Sequence, residues 1–274
     1  MIFRLHIPSY PLANFVENIV YYKGYNPPHT IEKLLPDGGI DMVIDLTDVP
    51  KYIYDNETLQ EKQECKKAWI SGMRTEYISI QARAAESEMM VIRLRTGSAW
   101  SFLHMPVMEI KDVVVDADII FGNELLLFRD ALQNCATVEL KFSIAENYLM
   151  QRIKNHLDIH PAVSYSISKM ISDPAQTSVK EITRQTGYTN KHLISLFAKY
   201  AGIGPKQYVN VLKFQQAVQL LEKNENNINW SHLAIDCGYY DQAHFINEFR
   251  KFSGFNPSAY MDARGEYMNY IPVK

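Results

Sequence analysis

One pattern of residues occurs twice near the end of this chain, and it limits the possible folds more than any other feature. The first copy is Ile182-Thr183, Gly187-Tyr188, His192-Leu193, Phe197, Gly202, Pro205 and Tyr208. The second is Leu233-Ala234, Gly238-Tyr239, His244-Phe245, Phe249, Gly254, Pro257 and Tyr260. The Gly-Tyr pairs lie 51 residues apart, and from the histidines onward the offset is 52. The second copy therefore carries one extra residue in its turn, Tyr240 or Asp241. Such a repeat describes one supersecondary unit used twice.

Each copy predicts helix, turn, helix. Ser178-Val179-Lys180-Glu181 has the capping-box spacing, with Val179, Ile182 and Thr186 following at helical intervals. Gly187 stands where a short helix stops and reverses, a place that needs positive φ. Asn190 is the expected cap of the next helix, with Leu193, Leu196, Phe197 and Tyr200 facing inward. In the second copy Trp230, Leu233, Ala234 and Cys237 form the first helix, Gly238 ends it, and Asp241 caps a helix that buries Phe245, Phe249 and Phe252. His192 and His244 each precede the first inner residue, so packing is their expected role. One such pattern is a weak sign of a helix-turn-helix; two in register are a strong one.

The second copy, Gly238-Tyr239-Tyr240-Asp241-Gln242-Ala243-His244-Phe245 followed by Phe249-Arg250-Lys251-Phe252, Gly254, Pro257 and Tyr260, resembles the C-terminal signature of AraC-type transcription regulators. The resemblance covers roughly residues 161–264. It implies two helix-turn-helix units joined by a long helix, from Pro205 to about Glu222, with both recognition helices entering successive major grooves on one face of double-stranded DNA. It also implies a bacterial regulator of a kind that commonly recruits RNA polymerase as an activator, and leaves activation or repression by this chain open.

A recognition helix buries one stripe and shows the other to the groove. The outer residues Asn190, Lys191, Ile194 and Ser195, and Gln242, Ala243, Ile246 and Asn247, are the expected base-reading set. Gln and Asn pair bidentately with adenine, Lys pairs with guanine, and Ile194 suits a thymine methyl. Lys199, Lys206, Lys213, Arg250 and Lys251 are the expected phosphate contacts, which set affinity and register rather than sequence preference.

Charge supports a division at about residue 160. Residues 1–160 carry 16 Lys+Arg against 22 Asp+Glu, a net of −6; residues 161–274 carry 12 against 9, a net of +3. An acidic part beside a mildly basic one suits a sensor joined to a DNA reader. No apolar run approaches the ~20 residues of a membrane span, and Arg4 and His6 interrupt the start too early for a signal peptide. A cytoplasmic protein without membrane attachment is expected. Cys65, Cys135 and Cys237 are too far apart for a metal motif.

Residues 1–120 read as strands: Ile31–Leu35, Ile40–Leu46, Lys51–Asp55, Lys67–Ser71, Tyr77–Gln81 and Glu88–Arg95, with a turn at Pro36-Asp37-Gly38-Gly39. A small antiparallel sheet or barrel is expected, then a short helix over Gly97–His104. Leu35-Pro36-Asp37-Gly38, Gly72-Met73-Arg74-Thr75 and Val91-Ile92-Arg93-Leu94 with Gly97 and Ala99 resemble, less specifically, the N-terminal domain of one branch of the same family. This implies a cupin-like domain that senses a small-molecule effector or oligomerises, and names no ligand. There is no His-x-His pair; His6, His29 and His104 are scattered, and His156 and His160 lack an acidic helper, so neither metal nor cofactor is expected.

Residues 122–159 turn helical. Val138, Phe142, Ala145, Leu149, Ile153 and Leu157 make one apolar stripe, which packs either on its own sheet or in a homodimer seam. The reading is thus an α+β chain: a sensor or dimerisation domain over 1–160, a double helix-turn-helix domain over 161–264, and a tail over 265–274 without clear period. Two rival readings stay open: a cupin-like enzyme domain carrying a DNA-binding module, and a protein-interaction module without a small ligand.

Overall fold

The computed structural model describes residues 1–84, 86–157, 159–223 and 228–273. Among these, the N-terminal half is built of antiparallel strands: β1 (Ile2–His6), β2 (Val16–Lys23), β3 (Ile31–Leu34), β4 (Ile40–Asp45), β5 (Lys51–Tyr54), β6 (Glu61–Cys65), β7 (Ala68–Ser71), β8 (Ile78–Gln81), β9 (Glu88–Leu94) and β10 (Val114–Asp116). A last strand, β11 (Tyr270–Val273), comes from the C-terminal tail. One sheet has the order β1-β2-β9-β4-β7-β10, the other β11-β3-β8-β5-β6. Trp69 and Val114 of the first sheet pack with Ile53, Cys65 and Ile78 of the second. All six strands expected from periodicity are present.

Four strands without a sequence signal have a physical reason for lacking one. A bulge between Val16 and Asn18 breaks the alternation of β2. β1 is an edge strand exposed over most of its length. β6 is mostly charged and also lies at an edge. β11 contains Pro272, which sheets tolerate at an edge.

The helices are α1 (Trp100–Leu103), α2 (Ala117–Phe121), α3 (Asn123–Gln133), α4 (Val138–Ile153), α5 (Pro161–Ser172), α6 (Val179–Thr186), α7 (Asn190–Tyr200), α8 (Pro205–Lys223), α9 (Trp230–Asp236), α10 (Gln242–Ser253) and α11 (Pro257–Ala263). Phe142, Ala145, Leu149 and Ile153 of α4 are buried within the chain itself. The stripe is therefore internal packing, the first of the two readings left open for it, and not a homodimer seam. Leu157, its expected last member, lies beyond α4 and is exposed.

One apolar core runs through both halves, from Ile40, Met42 and Ile92 of the sheet, through Phe102 and Leu149, to Ile167, Phe197, Tyr208, Phe214 and Phe249. The sheet-side contacts fall on the N-terminal motifs. The Pro36 carbonyl accepts a 2.7 Å hydrogen bond from Gln215 of α8, and Gly38 lies beneath the Tyr208 ring. Met73 and Val107 pack on Gly202 at the end of the first repeat. Arg93 grips Asp41 through two bonds of 2.6 and 2.9 Å and Asp37 through a third of 2.6 Å. These carboxylates keep the guanidinium charged and fix the loop that carries Pro36 and Gly38. The tail closes the join: β11 pairs with β3, Ile271 is buried, and Asn269 exchanges hydrogen bonds with Gln215.

Candidate nucleic-acid interface

Both repeats are built by the same local devices. Ser178 caps α6 and Asn229 caps α9 by accepting from Glu181 N and His232 N at 3.4 and 3.1 Å. Glu181 does not complete the capping box; its carboxylate holds Arg184 at 2.6 and 2.8 Å instead. Thr189, not Asn190, caps α7, accepting from His192 N at 3.3 Å, and Asp241 caps α10 the same way at 2.7 Å. Asn190 is the first helical residue, equivalent to Gln242. This alignment puts the extra residue of the second turn between Gly238-Tyr239 and the cap, at the highly exposed Tyr240.

Gly187 and Gly238 take φ of +72° and +75° in these turns. The inner faces are as the periodicity predicts: Leu193 and Phe197, and Phe245, Phe249 and Phe252, are buried. The histidines are not inner residues. His192 is exposed and stacks on Tyr188 at 4.7 Å; His244 is exposed and meets Tyr239 edge-on at 5.5 Å. Each shields a turn tyrosine, a role that spacing alone does not distinguish from burial.

On the outer faces Asn190, Lys191, Ile194, Ser195, Ala243 and Asn247 are exposed, while Gln242 and Ile246 are half-buried. Gln242 is oriented by Ser231, whose hydroxyl donates to Gln242 Oε1 at 3.0 Å. The structure brings four of them, Asn190 with Ile194 and Gln242 with Ile246, into two equivalent grooves, and leaves Lys191, Ser195, Ala243 and Asn247 outside these. One is lined by Val179, Asn190, Ile194, Pro205 and Lys206; the other by Trp230, Gln242, Ile246, Pro257 and Ser258. Each lies between the start of the first helix, the recognition helix and the start of the helix that follows. In this setting helix N-termini offer free backbone N–H groups to phosphates, which adds Lys180 and Ser258 to the candidate set beside Lys206. Lys180 and Ser258 carry no helical-face signal, because their relevance comes from the neighbouring helix.

The candidate phosphate contacts divide. Lys206, Arg250 and Lys251 are exposed, the last two in the last turn of α10. Lys199 is half-buried, with its ammonium 4.7 Å from the Trp100 ring centre and 5.0 Å from that of Tyr200. Lys213 donates to the Gly238 carbonyl at 2.7 Å, and burial lowers its pKa. These two are occupied in joining elements of the protein. Burial, together with the charge of Asp236, pushes the Cys237 thiol up to about 12, so it behaves as a packing residue. Among the described residues no group of three or more His, Cys, Asp or Glu could hold a metal, and no helix is long and apolar enough to cross a membrane.

A helix-turn-helix domain family matches residues 182–263, and a domain of unknown function matches residues 4–116. The HTH-type transcriptional activator RhaS of Escherichia fergusonii is 24% identical over 71% of this chain and 59% of its own length. The lactose operon transcription activator of Staphylococcus xylosus is 25% identical over 51% of this chain and 47% of its own. The chain spans about half the length of the curated relatives it matches. Among solved structures, ToxT from Vibrio cholerae aligns over 95% of this chain and 98% of its own, with 12% identity and a TM-score of 0.47. With its two capped repeats, the stretch 182–263 is a helix-turn-helix domain of the matched family, similar to the domains of transcription regulators such as RhaS.

Proposed function

We propose that the protein is a cytoplasmic, sequence-specific DNA-binding transcription regulator that lays α7 and α10 into successive major grooves on one face of promoter DNA. The observation that carries this is the pair of equivalent grooves, in which recognition helix, first-helix start and following-helix start recur at offsets of 51 and 52 residues. Asn190, Lys191, Ile194 and Ser195 of α7, and Gln242, Ala243, Ile246 and Asn247 of α10, meet base edges in this reading. Lys206, Arg250 and Lys251 meet phosphates. Activation through RNA polymerase fits the matched relatives, two of which are named as activators. Those relatives are regulators rather than enzymes, which supports a role by binding alone.

In this reading the N-terminal half modulates the reader. The shared core and the Gln215–Pro36 and Gln215–Asn269 bonds give a physical route between them. A small-molecule effector in this reading binds outside the cavity lined by Tyr22, Ile80 and Met89, which at 60 Å³ is too small to enclose one. A homodimer, where it forms, uses a surface other than the α4 stripe; the exposed Leu127 and Leu140 of the α3–α4 hairpin offer one.

The test is selection of bound duplexes from a random library, followed by affinity measurement on the selected site. Asn247→Ala and Gln242→Ala should each weaken that site by ~1–3 kcal/mol and relax preference at one base position. Equal loss on random DNA would remove them from base reading.

A further inference from the structure

A second cleft, of 390 Å³, shares no lining residue with the helix-turn-helix grooves. Residues 24–32, at the end of the sheets, form one wall; residues 265–272 of the tail form the other. Tyr25, Tyr267 and Tyr270 line it, the first two meeting edge-on at 6.1 Å. Between them stands Glu32, a carboxylate only 3% exposed. Tyr25 Oη donates to it at 2.5 Å and His29 Nε2 lies 2.6 Å away, and both contacts fall on Oε1. Oε2 has no hydrogen-bond partner among the described residues.

No lysine or arginine side chain lines the cleft. The lining side chains of fixed charge are Glu32 and Glu266, both acidic, beside the imidazole of His29. A buried carboxylate with a spare oxygen, walled by aromatic rings, favours a cation with at least one N–H. The N–H donates to Oε2, and the tyrosine faces hold the organic part. An anion would meet two carboxylates, and a neutral alcohol would forgo both the ion pair and the cation–π contacts.

We propose that this cleft binds an organic ammonium ion, with Glu32 Oε2 accepting from the ammonium and Tyr25, Tyr267 and Tyr270 enclosing it. As a statement about signal sensing this rests on the sensor reading of the N-terminal half; as a statement about binding it stands on the cleft. Occupancy would fix the tail that leads from α11 to β11, and so would reach the second repeat.

Calorimetry of the full chain with tyramine, and with tyrosol as its neutral isostere carrying a hydroxyl in place of the ammonium, tests the site. Saturable tyramine binding is expected, with tyrosol at least ~10-fold weaker. Glu32→Gln should weaken tyramine ~10–100-fold and leave tyrosol unchanged. Tyr267→Ala, at an exposed position, should weaken tyramine without disturbing the fold. Equal binding of tyramine and tyrosol, or no saturable binding of tyramine in the millimolar range to folded protein, would overturn the site. Binding dependent on Glu32 with no change in DNA affinity would support the site and remove its sensory role.

Discussion

The two turn glycines share a backbone conformation but not a neighbourhood, and this gives a prediction with a built-in control. Gly187 and Gly238 have φ of +72° and +75°. A methyl group on Gly187 would meet nothing within 4 Å. The same group on Gly238 would lie 2.5 Å from the carbonyl oxygen of Ala175 and 2.7 Å from its Cα, backbone atoms that cannot swing aside. A left-handed alanine costs ~1–2 kcal/mol, of which ~0.4–1 kcal/mol is regained by restricting the unfolded chain. Gly187→Ala should therefore cost ~1 kcal/mol or less. Gly238→Ala adds the displacement of the loop before α6, ~1–3 kcal/mol by analogy with overpacked cores. Urea unfolding of both full-length variants measures the difference, and each should keep the wild-type slope with denaturant. Equal costs, within ~0.5 kcal/mol, would refute the close contact between the second turn and Ala175.

Three further outcomes follow from the placement of charged and apolar groups. Arg250→Ala and Lys251→Ala should each lower the slope of log affinity against log salt by about one unit, whereas Lys199→Ala and Lys213→Ala should leave it unchanged, since Trp100 and the Gly238 carbonyl occupy those ammonium groups; salt titration of DNA binding separates the two classes. Burial lowers the pKa of His104, aided by His156 and Arg152, and that of His160, aided by His192 and Lys199. In the window below ~6.5 the unfolded chain then binds more protons than the folded one, so this contribution is present above that window and is lost as pH falls through the lowered values; a His104→Gln/His160→Gln variant should lose less stability than wild type between about pH 7 and about pH 5 in urea titrations. Ile271→Ala should cost ~2–4 kcal/mol by urea unfolding, because this tail residue is 1% exposed in the shared core; a cost near zero would mean that β11 does not hold the tail in solution.

The helix-turn-helix units were legible because their signals are local. Caps, turn glycines and the 3.6-residue stripe all lie within a dozen residues of one another, and repetition removed the ambiguity of a single copy. The cap shifted from Asn190 to Thr189 because both are good capping residues in adjacent positions, and only the backbone of Thr189 is extended. The central strands were legible from alternation. The join between the halves was not, since Pro36, Gly38 and Met73 find α8 and Gly202 only after long-range folding. The motif residues Pro36, Gly38, Gly72 and Met73 could be seen as distinctive, but not as a docking surface. The tail failed for the same reason: with Pro272 inside it and its partner β3 more than 230 residues earlier, β11 offers no local period. The Glu32 cleft combines three tyrosines from opposite ends of the chain, which spacing cannot bring together.

Hydroxyl-radical footprinting of the full chain on a selected duplex tests the central claim most directly. Two recognition helices in one protomer should give two protected patches on each strand, on one face of the duplex and ~10 base pairs apart. Asn247→Ala should weaken the patch belonging to α10, and Ser195→Ala the other. A single patch that only Asn247→Ala or only Ser195→Ala affects, or protection around the whole circumference, would contradict an account in which α7 and α10 read successive grooves.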